Sequence, residues 1–337
     1  GSDDDVLQAR LLALIYLIGK LPRQGAGDLG VRAVPDTLAD LLVTDLAEGS
    51  TPLRNRIPKL LDDLEADGHL MKIDGEYRLQ TAEGAEWERD YRARRNTCFA
   101  NESGIASDRA ALLSKEATAQ IGKLNLRQGE TKTPRSYELF FGAEFPKTDG
   151  NTIPIWIRDG WSDDEQTFMN DARRAGNDDP TIFVWIPRRE AEDLNSALVV
   201  CRAAQETLDA RGIPSSQPGK DARAAIENRK LDAERKLRDQ ILPEIFRQAR
   251  VLLAGGEEVS GGSLQERIRI AAERSLVRLF PEFDEADDPR WSKVLDRARN
   301  GDGGPLQTIG HHAETEKHPV AAKILTFIGA GKKGAEI

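Results

Sequence analysis

Residues 69–79 leave little choice of local structure. His69-Leu70-Met71-Lys72-Ile73 and Glu76-Tyr77-Arg78-Leu79 are short alternating runs joined by Asp74-Gly75. That is the strongest local signal for a β-hairpin, because a tight two-residue turn needs positive φ at both central positions and Asp-Gly tolerates it. Three helical stretches precede it. Leu7, Leu11, Leu14, Ile15 and Ile18 form one apolar stripe over residues 6–20. Pro35 and Asp36 open a second helix over 37–46. Ser50 or Thr51 caps a third, with Pro52 in its first turn and Leu53, Ile57, Leu60, Leu61 and Leu64 on its inner face. Pro58 is awkward there, since an interior proline removes a hydrogen bond, so a later start or a kink is expected. Three helices followed by a hairpin is the winged-helix order, assigned to residues 1–82.

The rest reads as a mixed fold, mostly α with α+β. Residues 83–129 form a helical connector carrying Trp87, Tyr91, Leu113, Ala117 and Ile121, with an interruption expected at Ser103-Gly104. Residues 130–214 form a small α/β domain. Its strands are expected at 136–141, 153–157 and 181–186, with helices over 163–175 and 189–211. Thr181 to Ile186 is nearly all apolar, as in a strand buried on both faces. Residues 215–337 form a C-terminal helical region, with a charged helix over 220–250 bent at Pro243 and shorter helices over 263–280, 291–298 and 318–328.

Composition removes several classes of function. The 337 residues suggest two or three domains, and their net charge is −9. Only 6% are aromatic, which argues against a base-stacking platform. Two cysteines, Cys98 and Cys201, exclude a disulfide framework and a structural zinc site and fit a reducing cytoplasm. Leu11 to Ile18, the longest apolar candidate, falls far short of the roughly 18–20 residues of a membrane span, and no signal peptide is visible. Gly1-Ser2 resembles an expression scar and the chain ends abruptly after Lys332-Lys333-Gly334. An excised piece of something larger is expected.

The motifs weigh against catalysis. Gly25-Ala26-Gly27-Asp28-Leu29-Gly30 spells a dinucleotide fingerprint, but a helix precedes it where the chemistry needs a strand. Gly329 to Gly334 lacks the upstream glycine and the hydroxyl residue of a P-loop. His311, His312 and His318 show no i, i+4 pairing suited to a metal. Asp163, Asp164 and Glu165 suit a helix N-terminus. No G-x-S-x-G occurs. No enzyme and no cofactor are therefore expected.

A winged helix can bind DNA with its third helix in the major groove and its wing on the backbone. The candidate contacts are Arg54, Asn55, Arg56 and Lys59 on that helix, with Lys72 and Arg78 on the hairpin. Against this, residues 1–80 hold nine basic and fourteen acidic side chains, a balance of −5. Phosphate binding needs a positive footprint, so protein docking is the competing expectation. Arg89, Arg92 and Arg95 recur every three residues along one helix, and residues 220–250 carry a surplus of +3. Such patterns commonly mark solvated helix faces.

Several stretches resemble the large P-loop protein of the BREX phage-defence system, the family called BrxC, with PglY relatives. They include 28–46 (DLGVRAVPDTLADLLVTDL), 77–91 (YRLQTAEGAEWERDY), 180–187 (PTIFVWIP), 205–214 (QETLDARGIP), 278–299 and 319–334. The resemblance implies an internal part of such a protein that lacks its ATP-binding motifs, so no catalytic residue carries over. It implies other BREX proteins and double-stranded DNA as partners, and no membrane. Three readings follow: a non-catalytic scaffold of a phage-defence ATPase, a stand-alone DNA-binding module or regulator, and, weakest, an enzyme whose site includes Arg158, Asp159 or Asp163.

Overall fold

The computed structural model describes residues 3–22, 28–44, 49–147 and 150–329. Its first elements are α1 (Asp3–Ile18), α2 (Pro35–Leu41), α3 (Thr51–Ala66), β1 (Leu70–Ile73), β2 (Glu76–Leu79), α4 (Ala82–Ala100) and α5 (Glu102–Ile121). Then come β3 (Leu126–Gln128), β4 (Thr133–Phe141), β5 (Thr152–Asp159), α6 (Glu165–Ala175), β6 (Ile182–Ile186), α7 (Ala191–Arg211) and α8 (Gln217–Lys236). A π-turn (Leu237–Ile241), α9 (Leu242–Arg247), β7 (Arg250–Leu253), α10 (Leu264–Leu279), α11 (Trp291–Arg299) and α12 (Pro319–Gly329) complete the chain, with short 3-10 turns between. The fold is thus mostly helical with some sheet. It divides into two units, residues 1–112 with 190–242, and residues 113–189 with 243–337.

In the first unit, α1, α2 and α3 bury Leu11, Ile15, Leu38, Ile57 and Leu61 in one cluster that also takes Leu70 and Tyr77 from the hairpin. The third helix starts at Thr51 and runs unbroken through Pro58. Pro58 lies on the exposed face, where water can take the Arg54 carbonyl that its missing N–H leaves unpaired. The hairpin pairs Leu70 with Leu79 and Ile73 with Glu76. Its turn residues Asp74 and Gly75 have φ of 51° and 82°, as a mirror-image turn requires. Gly75→Ala is expected to cost about 1 kcal/mol, read as a shift in the urea midpoint, because an L side chain is strained there. The Tyr77 N–H donates to the Ala33 carbonyl at 2.9 Å, which ties the segment before α2 to the hairpin.

Helices α4, α7 and α8 pack on one another in the same unit. The break between α4 and α5 falls at Asn101 rather than at Ser103-Gly104. The Asn101 side chain accepts a hydrogen bond from the Gly104 N–H at 3.0 Å, so it caps the next helix.

The second unit is built on a five-stranded sheet of order β3-β4-β5-β6-β7. Strands β4, β5 and β6 are parallel, and β3 and β7 flank them antiparallel. All five residues of β6 are buried, as the continuous apolar run implies. Phe168 and Ala172 of α6 pack on Trp156, Phe183 and Trp185, and α10 packs against β3, β5, β6 and β7.

The sequence boundaries at 82, 129 and 214 differ from this division. The sheet takes β3 and β7 from outside 130–214, and α7 belongs to the first unit. Strand β7 hides behind the charged stretch 220–250, which ends as helix at Arg247. Ahead of Pro243 the helix passes through the π-turn, in which the Leu242 N–H donates to the Leu237 carbonyl. Proline has no N–H to continue the ordinary ladder.

Gly160 follows β5 closely. Its N–H donates to the Ile186 carbonyl at 2.9 Å, and a Cβ there would stand 2.9 Å from the Arg188 backbone nitrogen. Gly160→Ala is expected to destabilise the second unit by about 1–3 kcal/mol, seen as a lower thermal midpoint, since backbone must move to admit the methyl group. Among the described residues, no helix is long and apolar enough to cross a membrane.

Candidate nucleic-acid interface

The six candidate DNA contacts fall in three environments. Arg54 donates to both carboxylate oxygens of Asp40, at 2.9 and 3.0 Å, with Asp36 at 4.0 Å. Arg56 pairs with Asp4 of α1. Both guanidinium groups are about half exposed but already face carboxylates. The Ser50 hydroxyl and then Arg54 hold the Asp40 carboxyl below its usual range.

Asn55 and Lys59 lie opposite the buried stripe of Ile57, Leu60, Leu61 and Leu64 and are exposed. One turn separates them, so they share a ridge. Lys59 makes no ion pair among the described residues. The same ridge continues into Asp62, which ends its positive character.

The two hairpin cations behave differently. Lys72 is exposed, with its ammonium 5.1 Å from the centre of the Tyr77 ring. The Tyr77 hydroxyl donates to Asp62 at 3.1 Å, and burial, then the nearby carboxylate, pushes the phenol up. Arg78 is 3.0 Å from Asp221 of α8. The hairpin itself is docked on that helix: Met71 and Ile73 are buried with Ala225, and Asn228 donates to Asp74 at 3.2 Å. Of the six, the structure brings Asn55 and Lys59 together, commits Arg54, Arg56 and Arg78 to carboxylates of the same chain, and leaves Lys72 against an aromatic ring.

A different group of residues comes together that spacing did not connect. A cleft of about 550 Å³ is lined by Glu65, Glu88, Tyr91, Arg92, Arg95 and Arg229, among others. Arg229 of α8 donates to Glu88 of α4 at 2.5 Å and to Glu65 of α3 at 3.2 Å, and lies over the Tyr91 ring. Arg92 donates to Glu88 at 2.7 Å and to the Ala66 carbonyl at 2.6 Å. Burial works to raise the Glu88 pKa, but Arg229 and Arg92 outweigh it and hold the carboxyl below its usual value. Burial likewise opposes the charge on Arg229, and its two carboxylates more than offset that. The network fastens three helices; the charges it gathers largely satisfy one another. Only the Glu88–Arg92 spacing of four was visible in sequence, since Arg229 lies 141 positions beyond Glu88.

In the second unit, the Arg158 side chain is 5% exposed and paired with Asp163 and, at 2.6 Å, Asp171. Asp159 accepts from the backbone N–H groups of Trp161 and Ser162 at 2.9 and 3.0 Å. These residues hold the turn into α6 together. The rings of His311 and His318 meet edge to face at 5.0 Å, and no three His, Cys, Asp or Glu side chains among the described residues converge as metal ligands. Both thiols are free; burial pushes that of Cys201 up to about 11. Gly25 to Gly27 and residues 330–334, the glycine motifs of the sequence reading, lie outside the described residues. No protein-family model matches the chain, and neither a curated protein nor a solved structure is significantly similar to it.

Proposed function

We propose that this chain is a non-catalytic scaffold whose three N-terminal helices and hairpin form a winged helix used for protein docking. The observation that supports this best is where the hairpin goes. Met71 and Ile73 are buried against Ala225 of α8, and Arg78 pairs with Asp221. A wing spent on its own chain has few cations left for phosphate, and Arg54 and Arg56 are likewise paired. In the setting implied by the resemblance to BrxC and PglY, the scaffold belongs to a phage-defence ATPase, and its partners are other proteins of that system.

Asn55 and Lys59 favour a second reading, a DNA-binding module or regulator. Both are exposed on the outer ridge of α3, and asparagine and lysine are both used on base edges and phosphates. Fluorescence anisotropy with duplex DNA of mixed sequence, at low and near-physiological salt, separates the two. The scaffold reading expects no binding even at low salt. Binding that falls steeply with salt, and that Asn55→Ala with Lys59→Ala abolishes, would replace it with the DNA reading.

A further inference from the structure

We propose that the outer face of α4 docks an acidic, apolar-anchored segment of a partner protein through Arg89, Arg95 and Phe99. The proposal rests on the docking reading above and names its surface. Arg89, Arg92, Arg95, Asn96 and Phe99 are all exposed on α4, whose buried face carries Gly84, Trp87, Tyr91 and Cys98, with Arg95 at the edge of that face one turn after Tyr91. At helical spacing they form one continuous strip. Phe99 is 76% exposed, an unusual placement for a phenyl ring. Arg89 and Arg95 make no ion pair among the described residues. Glu88 beside them is already held by Arg229 and Arg92.

A strip with two guanidinium groups outside any ion pair among the described residues, Arg89 and Arg95, and an exposed ring at its end has a definite complement. Arginine and aromatic side chains are the groups that most often carry binding energy when a partner covers them. The guanidinium groups call for carboxylates, which they can bind in bidentate fashion. The ring, one turn beyond Arg95, calls for an apolar side chain next to those carboxylates. The chain as a whole carries −9, so a positive strip is a local exception that selects an acidic partner at short range. A single-stranded nucleic acid also offers negative charge, but it binds by stacking successive bases on several aromatic rings, and this strip has one.

The test uses the full chain and a fluorescein-labelled peptide of repeated Glu-Glu-Leu units, titrated at low salt, with oligothymidylate alongside. The peptide is expected to bind, and more weakly as salt rises. Arg89→Glu with Arg95→Glu should weaken it tenfold or more, and Phe99→Ala severalfold. Arg10→Glu, an equal change of charge per site at an exposed position of α1, should leave it unchanged. All of these positions are exposed, and circular dichroism checks that each variant folds. Absence of peptide binding, equal loss with Arg10→Glu, or tighter oligothymidylate binding with the same dependence on Arg89 and Arg95 would each overturn the proposal. Its failure removes α4 as the docking face and leaves the scaffold reading to the duplex-DNA experiment.

Discussion

Phe183→Ala is expected to lower the unfolding free energy of the second unit by about 3–5 kcal/mol, the range for deleting a buried phenyl ring. Phe183 is fully buried in the middle of β6. Its ring meets those of Trp156 at 5.5 Å and Phe168 at 5.9 Å, both edge on, so substitution removes favourable ring geometry as well as buried area. The cavity would open between β5, β6 and α6, where sheet and helix hold the walls apart and collapse is restricted. Urea denaturation followed by tryptophan emission reads the change directly, because Trp156 and Trp185 belong to the same cluster. Phe141, at the end of β4 and 44% exposed, is the internal comparison: Phe141→Ala should shift stability by under about 1 kcal/mol. If the two alanine variants unfolded at the same urea concentration, the sheet and α6 would not be the core of this unit.

The residues that were easiest to interpret in sequence are those whose structure depends on near neighbours. Asp74-Gly75 dictates a turn because the required φ values are local to two residues. The apolar stripe of α3 repeats with the helical period, so its buried face was legible even though Pro58 suggested a break. The later start that Pro58 allowed does not occur, because the cost of an interior proline depends on solvent access to the carbonyl it orphans, which a linear pattern does not show. Strands β3 and β7 were missed for a different reason. They have three and four residues, too few to show a period of two. They become strands by pairing at the two edges of the sheet, β3 with β4 directly after it and β7 with β6, from which α7, α8 and α9 separate it in the chain.

The candidate site divides along the same line. Arg54, Asn55, Arg56 and Lys59 could be placed on one helix from spacing alone. Which of them would be free could not. Arg54 is neutralised from α2 and Arg56 from α1, contacts set by how three helices pack. The hairpin shows the effect most clearly, since its alternation predicts one buried face, yet Met71 and Ile73, on the face away from Lys72, are buried with Ala225 of α8, more than 140 positions later in the chain, and Met71 also reaches Gly84 of α4. Charge composition was the better guide here, because an acidic surround makes internal pairing of each arginine the default outcome.

The second large effect concerns the network that joins α3, α4 and α8. Arg229→Met is expected to destabilise the first unit by about 2–4 kcal/mol, because it keeps most of the side-chain volume but leaves Glu65 without its arginine partner and Glu88 with Arg92 alone. Glu88→Gln removes one charge and retains the shape, so it should cost less, and the double variant should recover part of the loss, since the two changes act on one interaction. The same network sets a pH dependence. The folded Glu88 carboxyl lies below its ordinary value, so the folded state binds a proton less readily than the unfolded chain. Its contribution is therefore complete above the ordinary glutamate range and is lost as pH falls through that range toward the folded value. Arg229 stays charged throughout and adds no slope of its own. Urea midpoints measured from neutral pH downward should fall for the wild type, with a shallower fall for Glu88→Gln. Parallel slopes in the two proteins would mean that Glu88 does not carry this linkage and that other carboxylates dominate acid unfolding.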